Sequence, residues 1–314
     1  MLIPVMEKIS RSMAKLLRVG RPHFLISGQA LFVFGVLLAV RLGAPFSLPR
    51  LILGYLVILP AQLSVHYSND YFDVATDRPG DATPFSGGSG VLLEHPQLRK
   101  PVMWIAIALI GCSLVAGLVF LQTYRYPFWI FGFVVIGNLL GWCYSAPPFR
   151  LSSRGLGEPA FTFIGGVLIP GMGYLVIKGS LDLAGAFILI PLLLYGLASI
   201  LSVEIPDMEA DRLGDKRTWV ARKGRSFGFS VVGTCLLAST GYFFIFPSLS
   251  IRQVPLDFHI LGVLSLLPLS PGMVGLIKKP TQRDPATKIA IWTVISLAVF
   301  SILADGYLVF LAIH

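Results

Sequence analysis

The chain has 314 residues, of which 55% are hydrophobic and only 13% charged, with a mean hydropathy of +0.77. That balance excludes an ordinary soluble domain and points to a protein whose solvent is largely lipid. The net charge of +9 would suggest nucleic acid in a soluble protein, but here membrane topology and anionic headgroups account for it. Cys112, Cys143 and Cys235 lie in apolar runs without CxxC spacing and read as small buried hydrophobes.

In chain order, residues 1–22 read as an interfacial amphipathic segment, with Lys8, Arg11, Lys15 and Arg18 opposite an apolar side. The remainder, 23–314, reads as a single transmembrane domain. Its apolar segments fall at 23–40, 51–67, 101–121, 127–147, 159–177, 183–203, 227–248, 257–276 and 289–312. Most supply the roughly 20 residues that a membrane helix needs. Leu, Phe and Gly dominate without alternation, so helices rather than barrel strands are expected. The expected fold is therefore all-α and polytopic, with nine spans.

Basic residues give an independent check. With a cytoplasmic N-terminus and nine spans, 20 of the 25 Lys and Arg face the cytoplasm, as the positive-inside rule requires, and the C-terminus lies outside. No cleavable signal is apparent, and the expected location is the cell (inner) membrane with the active site open to the cytoplasm.

Two spans run into acidic stretches. The first contains Asn69, Asp70, Asp73 and Asp77, the second Glu204, Asp207, Glu209, Asp211 and Asp215. Asn69, Asp73 and Asp77, like Asp207, Asp211 and Asp215, recur at i, i+4 and i+8 and so share a helical face. Eight of the 16 acidic residues sit in these two stretches, on the same side of the membrane. Like charges at that spacing repel, more so near a low-dielectric boundary, and a bound cation relieves the repulsion. Lys216, Arg217, Arg222, Lys223 and Arg225 follow the second stretch. Carboxylates beside bases suit a metal-bridged polyanion, with Mg²⁺ linking carboxylate to phosphate. The loop after the first stretch, rich in Gly, Ser and Pro, is long enough to fold over such a site. Arg21 serves either as a membrane anchor or as a contact to an anionic substrate. Arg154 and Glu158, spaced i,i+4, are either boundary residues or a site-shaping pair. Gly165, Gly166, Gly171 and Gly173 with Pro170 predict close helix packing or a broken helix in the fifth span.

These motifs resemble the UbiA superfamily of intramembrane polyprenyltransferases. Asn69, Asp70, Asp73 and Asp77 match its N-D-x-x-D-x-x-x-D motif. Asp207, Asp211, Lys216 and Thr218 match its second motif, and Tyr144 and the 154–158 segment match its Y-x-x-P-P and R-G-x-G-E stretches. The resemblance implies nine helices around a central cavity, Mg²⁺ as cofactor and an allylic polyprenyl diphosphate as donor. It implies metal contacts from Asn69, Asp73, Asp207 and Asp211, with Asp70, Asp77 and Asp215 farther out or on a second ion. Asp73, Asp211 and Lys216 would carry catalysis, and Lys216, Arg154, Tyr144 and Arg21 would contact the diphosphate. The second motif is most similar to the menaquinone-type branch, whose acceptor is 1,4-dihydroxy-2-naphthoate. This chain differs from that branch in carrying Val203-Glu204 in place of paired asparagines, and Phe85 rather than arginine before Ser86-Gly87.

Membrane lipid and a small aromatic acceptor are thus the expected partners, with no nucleic acid. Within the family 4-hydroxybenzoate, haem B, a chlorophyllide and a glycerol-phosphate lipid remain alternative acceptors. A cation-coupled transporter is the competing class, although its acids should lie at mid-span rather than together at one edge.

Overall fold

The structure is a computed structural model that describes residues 13–74, 88–249 and 255–313. Among these residues it is all-helical. The long helices are α1 (Pro22–Arg41), α2 (Leu48–Asp73), α3 (Arg99–Tyr124), α4 (Trp129–Ser145), α5 (Gly157–Lys178), α6 (Leu183–Leu213), α7 (Arg225–Ile245), α8 (Phe258–Lys278) and α9 (Arg283–Ile313). Eight of them are long and apolar enough to cross a membrane, while α4 is apolar but only 17 residues long. Short helical turns at 91–94, 96–98, 151–153 and 219–223 lie in the connections. Of the N-terminal segment, residues 13–19 are helical and 1–12 lie outside the described residues.

Polar residues start several helices by satisfying first-turn amides that have no partner within the helix. Ser47 accepts from the Arg50 N–H at 3.4 Å, Asp182 from Gly185 at 2.8 Å and Asp257 from His259 at 2.9 Å. Asp182 also receives Lys178 Nζ at 2.5 Å. Partial burial opposes its ionisation, but the Gly185 amide and Lys178 outweigh that and hold its carboxyl below the usual range.

α1 packs along α5 and α9, and α6 lies against α5, α7 and α9; α2 pairs with α3, α4 and α5. With little hydrophobic drive between helices in lipid, close backbone approach and buried polar bonds hold such a bundle together. A Cβ on Gly35 would lie 1.9 Å from Pro170 O, and one on Gly173 would lie 2.0 Å from Phe32 O, so the α1 and α5 backbones touch. The predicted irregularity of the fifth span takes the form of a π turn at Ile164–Leu168, followed by Pro170 in the first turn of the resumed helix. Asn138 Nδ2 donates to Ser113 Oγ at 3.0 Å, and that hydroxyl donates to Val57 O at 2.8 Å, tying α4, α3 and α2 together. Cys235 is buried, but Cys112 is exposed on α3, contrary to the expectation of a small buried residue; the outward face of a membrane helix needs only an apolar side chain.

Gly173→Val should lower the unfolding midpoint in detergent, with overpacking costing roughly 1–3 kcal/mol or more. Gly306→Ala, where an added Cβ meets nothing within 4 Å, should leave the midpoint unchanged or raise it. Equal behaviour of the two variants would contradict the close α1–α5 packing.

Candidate active site

The site forms where α2 and α6 emerge at the same end of the bundle. α2 ends at Asp73, with Asn69 and Asp70 in its last turn. α6 continues through Pro206 to Leu213, which places Asp207 and Asp211 on successive turns. The chain then reverses: Asp215 adopts φ +53, Lys216 N bonds Asp211 O at 2.8 Å and Asp215 N bonds Arg212 O at 3.3 Å. This paired closure of a helix C-terminus requires a left-handed residue, a position that Asp tolerates better than most non-glycine residues. The turn brings Lys216 back over the site, and its Nζ lies 3.2 Å from Asp73 Oδ2. Asp73 and Lys216 retain only 14% and 19% exposure, so their attraction is less screened than that of a surface pair.

Thr218 performs two tasks. Its hydroxyl donates to Asp211 Oδ2 at 3.0 Å and accepts from the Ala221 N–H at 3.2 Å, capping the short helix 219–223. The loop before α5 supports this segment from below. Arg217 N donates to Ser153 O at 2.9 Å, Trp219 Nε1 donates to Gly155 O at 3.0 Å, and the Trp219 backbone N–H donates to Glu158 Oε1. Gly155 has φ +74, and a Cβ there would stand 2.9 Å from Arg217 O, so both conformation and space require glycine.

Asp70 is 3% exposed and faces Arg21, whose Nη2 approaches Oδ1 to 2.5 Å. Ser89 donates to the same carboxylate through its hydroxyl and through its N–H at 3.2 Å. Asn69 Oδ1 instead accepts from Ser145 Oγ at 2.7 Å, linking α2 to the end of α4. The neighbouring Tyr144 lies within electrostatic reach of Glu204, Glu158, Asp73 and Asp211. Two helical turns deeper, about 10 Å on the α2 face that carries Asn69, Gln62 lines a cavity of ≈ 60 Å³ with Asn138, Ile164, Leu168 and Met172.

A model of the UbiA prenyltransferase family matches residues 30–295. The chain belongs to the UbiA prenyltransferase family. Prenyl transfer is accordingly its class of activity. Solved structures share the fold. A digeranylgeranylglyceryl phosphate synthase superposes with a TM-score of 0.65 at 15% identity, covering 96% of this chain and 99% of that one. A UbiA homolog from Archaeoglobus fulgidus, bound to DMAPP and Mg²⁺, gives 0.60 at 13% identity, covering 93% and 99%. The apo UbiA homolog from Aeropyrum pernix K1 gives 0.59 at 13%, covering 90% and 98%. No curated protein sequence matches the chain.

Within this UbiA-family fold, the residues singled out from sequence divide into three groups. Asn69, Asp73, Asp211, Lys216 and Tyr144 converge at one end of the bundle, with half-buried Asp207 one turn before Asp211 on α6. Arg21 and Asp70 are bonded to each other, while Arg154 and Asp215 are exposed. Asp77 lies outside the described residues. Arg225, expected among the bases available to a polyanion, is instead 4% exposed and fully engaged. It forks onto Glu209, with Nη1–Oε1 at 2.6 Å, and donates to Ile205 O and Thr281 O at 3.0 Å each. Glu158 bonds the Trp219 amide while Arg154 is exposed, and among the described residues no bond joins the pair that their i,i+4 spacing offered as one of two readings; the docked 217–219 segment engages Glu158 instead. Ser89, Ser145 and Trp219 escaped sequence reasoning because a lone serine or tryptophan carries no spacing signal. Only their proximity to matched motifs could have marked them.

Arg21→Ala should destabilise the protein by about 3 kcal/mol, since it strands a nearly buried carboxylate. Arg21→Ala/Asp70→Asn should recover at least half of that loss in the unfolding midpoint. Equal loss in the single and double variants would show that the pair is not coupled.

Proposed function

We propose that this enzyme transfers a polyprenyl group from an allylic polyprenyl diphosphate to 1,4-dihydroxy-2-naphthoate, a small aromatic acceptor, and releases diphosphate with Mg²⁺ as cofactor. The observation that carries this reading is the contact between Lys216 and Asp73, which closes the two acidic helix ends into one clamp with a cation inside it. Relatives of the same fold from Archaeoglobus fulgidus have been solved with DMAPP and Mg²⁺ and with GPP and Mg²⁺. The acceptor follows from the resemblance of the Asp207–Thr218 motif to the menaquinone-type branch.

The donor set is carboxylate and amide oxygen, which suits a hard cation. Among the described residues, no three His, Cys, Asp or Glu side chains are gathered closely enough to hold a metal alone. Mg²⁺ is ordinarily bound by one or two carboxylates together with substrate phosphates, so the arrangement fits an ion that arrives with a diphosphate. Asn69, Asp73, Asp207 and Asp211 would hold it, with Asp70, Asp77 and Asp215 outside them. When bound, the ion neutralises charge that develops on the departing diphosphate.

The chain's own residues supply the remainder. Lys216 would exchange Asp73 for a phosphate oxygen and stabilise the leaving group as the allylic C–O bond breaks. Arg21 would move similarly from Asp70, with Arg154 and Tyr144 as further diphosphate contacts. Thr218 orients Asp211. The apolar side chains of Ile164, Leu168 and Met172 in the cavity beneath Asn69 would keep water from the allylic cation and meet the start of the hydrocarbon tail.

For topology, we take α4 as the ninth span, residues 1–22 as an interfacial segment and 23–314 as one domain. The N-terminus and the site then face the cytoplasm of a cell (inner) membrane, and the C-terminus lies outside. The bond from Tyr67 Oη to Leu16 O at 3.1 Å, which docks the basic N-terminal segment near the acidic end of α2, supports this placement. A glycerol-phosphate lipid is the second acceptor reading, favoured by the likeness to digeranylgeranylglyceryl phosphate synthase.

Asp73→Ala and Asp211→Ala should each reduce Mg²⁺-dependent diphosphate release by about 10²-fold or more, on the scale of losing one preorganised electrostatic contact. Chelation with EDTA should stop release, and added Mg²⁺ should restore it. Unchanged turnover in either folded variant would overturn the clamp. Incubating membranes with geranylgeranyl diphosphate and an acceptor panel should give a product with the mass of a prenylated naphthoate. A prenylated glycerol phosphate would establish the second reading, and cation uptake by purified protein without a prenyl donor would favour a transporter.

A further inference from the structure

The cavity of ≈ 60 Å³ beneath Asn69 carries more polarity than a hydrocarbon tail needs. Most of its lining is apolar, but α2 contributes Gln62, α3 Ser113 and α4 Asn138. Asn138 is 5% exposed. Its Nδ2 donates to Ser113 Oγ at 3.0 Å and to Val134 O at 2.8 Å, which uses both hydrogens and fixes the orientation of the amide. Its Oδ1 is buried and has no donor.

Gln62 lines the same cavity while its amide lies on the bare backbone of α1. Gln29 Nε2 donates to Gln62 Oε1 at 2.6 Å. A Cβ on Gly28 would stand 2.7 Å from Gln62 Nε2, and its three nearest neighbours would all be atoms of that amide. One bond between two amides leaves Gln62 Nε2 and Gln29 Oε1 buried and unpartnered. Buried polar atoms are costly unless paired, so this group of orphans calls for a complement from whatever occupies the cavity.

The chemistry of the reactants narrows that occupant. A prenyl tail offers no polar atom, and the diphosphate belongs at the clamp, about 10 Å away along α2. The acceptor is the remaining reactant. Among the described residues no charged side chain lines the cavity, so a carboxylate seated there would be uncompensated. A neutral hydroxyl fits, because it donates to an orphan oxygen and accepts from an orphan amide, whichever way the two glutamine amides face.

We infer that Gln62 and Asn138 form a hydroxyl-recognising subsite for the acceptor, which seats one ring hydroxyl in the cavity and leaves a carboxylate toward the basic mouth. The inference rests on the proposed aromatic acceptor and names the side chains that select it. Gly28 keeps the space in which the Gln62 amide lies.

Equilibrium binding to the purified protein, without oxygen and without donor, tests the subsite. The wild type should bind at least one of 1-hydroxy-2-naphthoate and 4-hydroxy-2-naphthoate roughly tenfold more weakly than 1,4-dihydroxy-2-naphthoate, the scale of leaving a buried hydrogen-bonding group unpaired. Gln62→Leu should bring the three ligands within about threefold of one another. Gly28→Ala, whose added Cβ displaces the Gln62 amide, should act in the same direction. In turnover both variants should raise KM for the acceptor while KM for geranylgeranyl diphosphate stays unchanged; an equal rise in both constants would show a merely structural role and overturn the subsite. Equal affinity of the wild type for all three ligands, or a diol preference that survives both substitutions, likewise overturns it and leaves prenyl transfer standing. If the wild type prenylates no naphthoate, the naphthoate reading fails, and 1-naphthol and 1-methylnaphthalene decide the subsite instead. Tighter binding of the naphthol that is lost in Gln62→Leu supports it, and equal binding overturns it.

Discussion

An ionised carboxylate at the edge of a lipid-embedded bundle is stable only if donors or cations compensate for lost water. That constraint organises the active end of this molecule. Asp73 takes Lys216, Asp70 takes Arg21 and Ser89, Asp211 takes Thr218, and Glu209 takes the guanidinium fork of Arg225. The partners belong to the connections and helix starts around α2 and α6, so charge compensation also fastens the loops to the helix ends. Removing Lys216, Arg21 or Arg225 would loosen geometry as well as change charge, whereas removing Ser89 or Thr218 would loosen geometry alone.

The compensation has two grades, with different consequences. Arg225 is buried, makes bonds to four acceptor atoms, two of them on Glu209, and has no freedom to leave. Lys216 reaches Asp73 at 3.2 Å at the mouth of the site, from a flexible four-carbon stem. A lysine on such a stem can exchange a carboxylate for a phosphate at lower cost than a buried guanidinium bonded through its whole fork. This difference in engagement, rather than charge count, separates structural bases from those suited to a substrate.

Placement of that mouth depends on events far from it. The backbone contact of α1 with α5 at Gly35 and Gly173 fixes where α5 begins, and hence where Gly155 and Glu158 meet the Arg217–Trp219 segment. The π turn at Ile164–Leu168 shifts the facing of α5 between those two regions. Small residues in one part of the membrane thereby support the angle of a lysine at its edge, a coupling carried by rigid helices.

The sequence by itself determined the helical membrane class, the approximate positions of the spans and the two acidic stretches, because apolar length and i, i+4 spacing are local properties of the chain. It also marked the glycine and proline disturbance in the fifth span, without distinguishing a break from a π turn. Only the tertiary structure decided which bases face the site. Arg225 and Lys216 are indistinguishable in a list of charges, yet one is buried against Glu209 and the other reaches Asp73. Likewise, nothing in the spacing of Glu158 and Trp219, 61 residues apart, predicts that they bond. Their juxtaposition depends on the docking of two loops, and that docking is set by long-range packing between α5 and α6, which leaves no periodic mark on either segment.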